Sequence, residues 1–324
     1  MEEFIVFRHP NETQIHVYTG VWEEMEFNGT CNGFWAQPFD RTALPIVLKE
    51  EHLPDWKELA FTTKPYPIEA IENSQKDFES YIRAILDKIE HENLQKVVPA
   101  RTSFFEKERL NAKEVFLKSL NSNPNAFCYY LQSSKYGCWT GASPETFFNY
   151  ANGIGDTMAL AGTRTTNVSD NFSAKEFEEQ GIVLEYVKKL MGFHGSKVQS
   201  TEPVSIQAAH LSHLVSKITA SIPKSEVPNL IRNLHPTPAV GGFPLIESLE
   251  IINENETFSR SLYAGWLGHM QHEKFRSYVN LRCASLYDNG MLCYAGCGVN
   301  RGSVPKLEFL ETENKMQVMA RLLD

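Results

Sequence analysis

The chain has 324 residues, of which 42% are hydrophobic and 22% charged, and its formal net charge is −9. This is the composition of an ordinary globular protein, and the negative balance argues against a general binder of nucleic acid or anionic membrane. No apolar run approaches the ~20 residues of a membrane helix, and the N-terminus lacks a signal-peptide pattern. We therefore expect a cytoplasmic protein that binds neither nucleic acid nor membrane.

The first half of the chain predicts strands interrupted by helices. Alternating apolar and polar stretches indicate short strands in the first ~65 residues, and an apolar repeat of three to four residues predicts a helix over 68–92. KVVPARTSFF is typical of a strand, and 113–120 of a second helix. Strand-like segments follow in the order FCYYLQ, YGCWTGASPETFFNY and MALAGT.

The second half predicts a helix over 173–191, a short helix over 211–221 and a last helix over 304–323. Between them, strands are expected near SLYAGWLGHM, SYVNLRCASLY and MLCYAGCGVN. Strands outnumber helices and often follow one another directly. The pattern therefore favours an α+β fold with largely antiparallel sheets.

The last helix carries a possible metal site. Glu308, Glu311 and Lys315 stand at i, i+3 and i+7 and share one helical face. Two carboxylates on adjacent turns suit Mg²⁺, which then needs a third acidic group and a ligand. Gly296 and Gly298, shortly before this helix, let the backbone approach a ligand closely. The alternative interpretation is a solvated charged face with ordinary ion pairing along the helix.

Two further segments have the composition of ligand-binding loops. LHPTPAVGGFP combines His235 with prolines and glycines, which rigidify a loop and allow close backbone approach. LAGTRT has small residues beside the Thr163 hydroxyl. The alternatives are a buried connection with a hydrogen-bonded histidine in the first segment and close packing in the second.

Eight segments in this order resemble the chorismate-utilising enzymes, and among them most closely the isochorismate synthases: KVVPAR, GASPETFF, LAGTRT, HPTPAVGGFP, LYAGWLG, NLRCA, YAGCGV and EFLETENK. The resemblance runs from about residue 96 to 315. It implies two interleaved α+β subdomains with packed antiparallel sheets and surrounding helices, and an active site between them. Residues 68–324 would form the catalytic domain, with 1–67 a strand-rich portion of the same domain. A monomer is implied as well.

The resemblance also implies roles for residues of this chain. Lys96 matches the general base that activates water, and Glu145 the general acid beside the departing hydroxyl. The Mg²⁺ ligands would be Glu179, Glu308 and Glu311. The substrate, chorismate, would be bound by the residues that match the family's pocket: Gly162, Thr163, His235, Tyr263, Arg282, Gly296, Gly298 and Lys315.

The implied chemistry needs these residue types. Chorismate carries two carboxylates, so a cation and an arginine offset its charge even in an acidic protein. Lys96 can act as a base only after losing a proton, which burial or a nearby cation would favour. Glu145 must instead hold a proton at neutral pH, which an apolar setting would favour.

Two positions depart from the family's pattern. Pro99 stands where relatives usually have an aliphatic strand residue, and it predicts a bulge or an edge position because proline donates no ladder hydrogen bond. Gln180 stands where many relatives have a histidine, so support of the neighbouring Glu179 could differ.

Related activities remain as alternatives. Lys96 disfavours anthranilate synthase, and Ala161 stands where aminodeoxychorismate synthases often carry a nucleophilic lysine. Salicylate synthases share nearly all the motifs, so the sequence does not exclude this activity. A metal-supported binding protein without activity is the alternative from another class, and the complete set of acid, base and metal carboxylates argues against it. Isochorismate would serve menaquinone, siderophore or salicylate production.

Overall fold

The computed structural model describes residues 2–49, 55–65, 74–165, 172–208 and 211–324, apart from the side chains of 163–165 and 208. Within these ranges, six α-helices surround the strands: α1 Gln75–His91, α2 Ala112–Ser122, α3 Ala174–His194, α4 Val227–Leu234, α5 Leu245–Asn255 and α6 Pro305–Ala320. No helix there is long and apolar enough to cross a membrane.

The described residues also form nineteen strands: β1 Glu3–Arg8, β2 His16–Gly20, β3 Glu23–Glu24, β4 Gly33–Gln37, β5 Ile46–Leu48, β6 Lys96–Val97, β7 Ala100–Glu106, β8 Phe127–Ser133, β9 Gly137–Ser143, β10 Thr146–Ala151, β11 Ile154–Thr165, β12 Ser196–Ser200, β13 Val204–Ala208, β14 Leu211–Ser221, β15 Gly242–Phe243, β16 Trp266–Gln271, β17 Lys274–Val279, β18 Cys283–Tyr287 and β19 Gly290–Gly296.

These strands build two large sheets and one small one. A seven-stranded sheet has the order β2-β1-β8-β9-β18-β19-β7, and a ten-stranded sheet has the order β12-β14-β11-β10-β17-β16-β4-β5-β3 with β13 also on β14. β15 and β6 form the third sheet. All pairings between these strands are antiparallel. The α+β fold with antiparallel sheets is thus confirmed.

The N-terminal strands belong to both large sheets. β1 pairs with β8 of the seven-stranded sheet, with Phe4 opposite Gln132, and β4 pairs with β16 of the ten-stranded sheet, with Trp35 opposite Gly268. Phe4 and Trp35 are fully buried. The first ~50 residues therefore complete the sheets that carry the rest of the chain.

KVVPARTSFF forms two strands rather than one. Lys96 and Val97 pair with β15, whereas β7 starts at Ala100 and is the edge strand of the seven-stranded sheet. Pro99 lies in the break between them, where its missing N–H costs no ladder bond. Pro99 thus occupies a break between two strands instead of the predicted bulge or edge position.

The predicted short helix over 211–221 is wrong, because this segment is β14. Its ladder with β11 extends from Leu211 opposite Thr165 to Ser221 opposite Ile154. β-branched Val215, Ile218 and Thr219 favour the extended backbone, and the long ladder outweighs the helical spacing of the apolar residues.

Two helices, α3 and α6, each bury an acidic residue. α3 begins after Ser173, whose capping box with Glu176 fixes the first turn, and it buries Glu179. Phe177 of the same helix is 46% exposed. α6 begins at Pro305, an amino acid suited to the first helical position, and buries Glu308. Residues 68–73 of the predicted first helix lie outside the described residues.

Candidate active site

A cavity lies where the two large sheets meet α3 and α6. The ten-stranded sheet contributes Leu160, Ala161 and Gly162 of β11 and His213 of β14. The seven-stranded sheet contributes β19, and the turns that follow β9, β17 and β19 complete the wall. The cavity has both apolar and charged walls, as sites for small polar ligands generally do. Eight of the predicted site residues line it: Glu145, Gly162, Glu179, Tyr263, Arg282, Gly296, Gly298 and Lys315.

Lys96 lies behind this wall and contacts it through Glu179. Its side chain is completely buried, and its Nζ is 3.0 Å from Glu179 Oε1. Within the described part of the chain, Nζ has no partner in hydrogen-bond geometry, so the contact is ionic. Burial raises the pKa of Glu179, but Lys96 and Lys175 outweigh this and the pKa lies below its usual value. Glu179 is therefore ionised.

Glu145 is the buried acid of the cavity. It follows β9 in the GASPE turn, is 2% exposed, and its backbone carbonyl accepts a hydrogen bond from Val279 N. Burial raises its pKa to about 8, and the charges of Lys96 and Lys315 oppose this shift. The carboxyl group thus holds its proton at neutral pH, which is the state required of a general acid.

Arg282 and His213 form a pair on the cavity wall. Arg282 has a φ of 46°, in the left-handed region, at the break between β17 and β18. Its guanidinium lies 2.7 Å from His213 Nε2, and because arginine only donates, this nitrogen must accept. Burial and the arginine charge hold the pKa of His213 well below its usual value, so the imidazole is neutral.

Lys315 joins the last helix to the glycine segment. Its Nζ donates to the Gly296 carbonyl at 2.9 Å and pairs with Glu311 Oε1 at 2.7 Å. The Glu311–Lys315 pair is the i,i+4 interaction expected of an ordinary charged helix, yet both side chains are largely buried. Lys315 therefore brings a positive charge to the cavity from α6.

Three carboxylates lie around Lys175. Its Nζ is 2.5 Å from Glu308 Oε1, and Glu311 and Glu179 also raise its pKa against the effect of burial. Burial and the neighbouring Glu311 raise the pKa of Glu308 to about 7. Glu308 Oε2 is buried and has no hydrogen-bond partner in the described ranges. Nowhere among those residues do three acidic, histidine or cysteine side chains converge closely enough to hold an ion.

Comparison with known proteins assigns the chain to a family. A family model described as "Chorismate binding enzyme" matches residues 38–324, most of the chain. The chain belongs to this family.

Several members of the chorismate-binding family are similar to the chain over most of its length. The isochorismate synthase MenF of Haemophilus influenzae is 27% identical over 90% of this chain and 71% of its own length. The MenF of Escherichia coli is 29% identical over 71% of this chain and 56% of its own length. The anthranilate synthase component 1 of Spirochaeta aurantia is 26% identical over 83% of this chain and 59% of its own.

Solved structures share the fold. The structure of E. coli MenF covers 100% of this chain and 89% of its own, with a TM-score of 0.83 and 22% identity. Anthranilate synthase component I of Streptococcus pneumoniae covers 98% of this chain and 92% of its own, with a TM-score of 0.71 and 17% identity. The architecture implied by the sequence resemblance is confirmed.

The predicted pocket residues His235 and Thr163 are not among the eight that line the cavity. His235 does not line the cavity: its Nε2 is 2.9 Å from the Pro38 carbonyl, and its ring packs edge-on against Phe147. It anchors the loop, which instead contributes Ala239 and Val240 to the cavity. The expectation that His235 contacts the substrate is therefore replaced by an anchoring role. Thr163 pairs with His213 in the β11–β14 ladder, and its side chain lies outside the described residues.

The sequence interpretation missed His213 and Lys175. His213 lies in the segment predicted as a helix, where no face toward the cavity could be assigned. Lys175 stands beside Glu176 in SAKEFEEQ, which resembles a solvated charge run. The signal for His213 was the alternation LSHLV, which directs Leu211, His213 and Val215 to one face of a strand.

Proposed function

We propose that this member of the chorismate-binding family is an isochorismate synthase, which adds water at C2 of chorismate and expels the hydroxyl from C4. The observation that carries the proposal is that a buried, protonated glutamate, Glu145, lines the cavity, while a completely buried lysine, Lys96, contacts the cavity residue Glu179. An acid and a base at separate positions are the two groups that this exchange of hydroxyls requires.

Glu145 would protonate the departing hydroxyl. The proton is in place at neutral pH because burial raises the pKa of the carboxyl group to about 8. The apolar residues Val98, Leu160 and Tyr294 also line the cavity and keep its dielectric low. Expulsion of hydroxide without this proton would place a strong base in a poorly solvated site.

Lys96 would accept a proton from the attacking water. Its side chain is completely buried, and its Nζ lies 3.0 Å from Oε1 of Glu179, which lines the cavity.

The carboxylates of chorismate would be bound by Arg282 and Lys315. Both line the cavity, and the neutral His213 holds the Arg282 guanidinium in place. Arginine and lysine contacts to carboxylates are charge-assisted hydrogen bonds, the stronger class in proteins. Gly296 and Gly298 also line the cavity.

The residues present suit a magnesium ion by their chemistry, although the three carboxylates do not converge on one point in the described structure. Glu179, Glu308 and Glu311 supply hard oxygen donors, and the charge of each raises the pKa of Lys175. Glu308 Oε2 has no hydrogen-bond partner in the described chain. These three carboxylates would hold the ion. When bound, the ion would supply positive charge for a substrate carboxylate and compete with Lys96 for Glu179.

Two observations favour this activity over the others in the family. Ala161 lines the cavity, so no amine stands there to act as the nucleophile of an aminodeoxychorismate synthase. Lys96, whose Nζ is 3.0 Å from Glu179, is present at the position where the sequence resemblance implies the base that activates water. Salicylate formation, in which isochorismate then loses pyruvate, is the second candidate because it uses the same groups.

The named relatives support a role in menaquinone or siderophore production. They include MenF proteins, one of them described as menaquinone-specific, and a vibriobactin-specific isochorismate synthase of Vibrio cholerae that is 27% identical over 88% of this chain. Isochorismate made by this chain would feed one of these routes.

The test is to incubate the purified protein with chorismate and Mg²⁺, with and without ammonium, and to identify every product by chromatography. Isochorismate alone is expected in both reactions. Salicylate with pyruvate would move the assignment to salicylate synthase. An aminated product would refute the role of Lys96, and unchanged chorismate would refute the activity. A Lys96→Met variant is the control for water activation and is expected to lose turnover.

A further inference from the structure

We propose that Lys175 is a positioning residue for the metal-binding carboxylate Glu308: it holds one oxygen of Glu308 and thereby directs the other toward the magnesium ion. The inference rests on the proposed function, since it concerns the ion that this function requires. Lys175 was not among the residues predicted from the sequence, and the proposed chemistry leaves it without a role.

The two oxygens of Glu308 have different surroundings. Oε1 is 2.5 Å from Lys175 Nζ, whereas Oε2 is buried without a hydrogen-bond partner in the described ranges. Glu308 is 2% exposed, so water does not compensate Oε2 freely. A buried carboxylate oxygen without a partner is costly, and a cation is the partner that would remove the cost.

Lys175 is itself fixed in place. Its carbonyl accepts a hydrogen bond from Asn300 Nδ2 at 3.3 Å, and Asn300 belongs to the turn that leads into α6. A methyl group added to Gly302 would lie 3.4 Å from Cβ and Cγ of Lys175, so the lysine stem passes close to this turn. The first turn of α3 is thus tied to the start of α6, where Glu308 stands.

The charges make this arrangement useful for binding an ion. Glu308 lies close enough to Glu311 for the two carboxylates to repel each other, and Lys175 interacts with both. The ammonium reduces this repulsion and holds Glu308 in one orientation before the ion arrives. Groups that orient metal ligands in this way typically change metal affinity 10- to 100-fold when removed.

The experiment measures magnesium binding directly in the full-length protein without chorismate. Isothermal titration calorimetry gives the Kd for Mg²⁺, and the rise in Tm with added Mg²⁺ gives a second readout. For Lys175→Met we expect a Kd raised at least ~10-fold and a smaller rise in Tm. Lys175→Arg keeps the charge and is expected to stay within about 3-fold of wild type.

Controls separate this inference from the function on which it rests. Lys189→Met removes an exposed lysine of the same helix and should leave the Kd unchanged. If wild type bound no Mg²⁺, the metal of the proposed function would be refuted together with this inference. If wild type bound Mg²⁺ and Lys175→Met bound it equally well, only the inference would be refuted. Tighter binding by Lys175→Met would show that the lysine competes with the ion, which also overturns it.

Should Lys175→Met fail to fold, Lys175→Gln keeps the inference testable. Glutamine can still donate one hydrogen bond to Glu308 but carries no charge. We expect a Kd above that of wild type, because glutamine removes the positive charge beside Glu308. A Kd equal to that of wild type would again overturn the inference.

Discussion

Gly298 passes directly over the ion pair between Lys96 and Glu179. A methyl group built on Gly298 would overlap Glu179 Oε1 and lie 3.0 Å from Lys96 Cε. The glycine is therefore required by the close approach of the backbone to these two side chains.

We expect Gly298→Ala to lower turnover by about 100-fold, because displacing a catalytic group by ~1 Å can cost that much. Kinetics with chorismate measure the effect. The matched control is Gly181→Ala in α3, where an added methyl group meets nothing within 4 Å. This control should keep full activity and gain up to ~1 kcal/mol of stability, because alanine favours the helix. Equal activity in Gly298→Ala and wild type would contradict the close approach.

Glu145→Gln is expected to bind Mg²⁺ and chorismate like wild type and to lose turnover by roughly 10²- to 10⁴-fold, the usual contribution of a general acid. The amide keeps the shape of the side chain and removes the proton that is donated. Binding by calorimetry and turnover by chromatography separate the two effects. Exposed Glu247→Gln serves as control. Turnover close to that of wild type would refute the acid assignment.

The pH dependence of stability should report the same group. The pKa of Glu145 is about 8 in the folded protein, against an ordinary value of 4.5, so between these values the folded protein holds a proton that the unfolded chain has lost. Its stabilising contribution is present below pH 4.5 and is lost as the pH rises through about 8. We expect the unfolding free energy of wild type to decrease more steeply than that of Glu145→Gln over this range in urea titrations. Parallel curves would contradict the raised pKa.

The sequence predicted the parts of the site that are carried by compact motifs. GASPE and KVVPAR led to Glu145 and Lys96, and the helical spacing of Glu308 and Glu311 was enough to expect them on one face. The strand around His213 was missed because the apolar residues of this 11-residue segment fit both the helical and the strand period. Only the ladder with β11 decides between the two. Lys175 could not be found because its partner lies 133 residues away.

Arg260 links two segments that line the cavity. Its guanidinium forms a buried bidentate pair with Glu256 and donates to the carbonyls of Val98 and Val240, both cavity residues. We expect Arg260→Lys to lose the fork of hydrogen bonds and to lower the unfolding free energy by about 3 kcal/mol, since breaking buried pairs costs 3–5 kcal/mol. Urea titration measures this loss. A variant as stable as wild type would show that the pair is dispensable.

A hydrogen-bond chain of two histidines and two tyrosines connects the two large sheets. His9 Nδ1 contacts the Tyr278 hydroxyl at 2.9 Å, His9 Nε2 lies 3.2 Å from His269 Nδ1, and His269 Nε2 contacts the Tyr18 hydroxyl at 2.8 Å. Burial, with the charges of Arg276 and His16, lowers the pKa of His269 to about 3, and burial lowers that of His9 to about 2. Both rings are therefore neutral in the folded protein.

These histidines should make the protein sensitive to acid. The unfolded chain takes up protons near the ordinary histidine pKa of 6.5 and the folded chain does not, so stability is present above pH 6.5 and is lost as the pH falls. We expect His269→Gln to cost about 1–3 kcal/mol at pH 7.5 and a smaller amount at about pH 5, because the variant no longer loses stability through this ring. Urea titrations at the two pH values measure both numbers. Exposed His272→Gln should match wild type at both, and a cost for His269→Gln that grows as the pH falls would mean that the buried rings accept protons in the folded state.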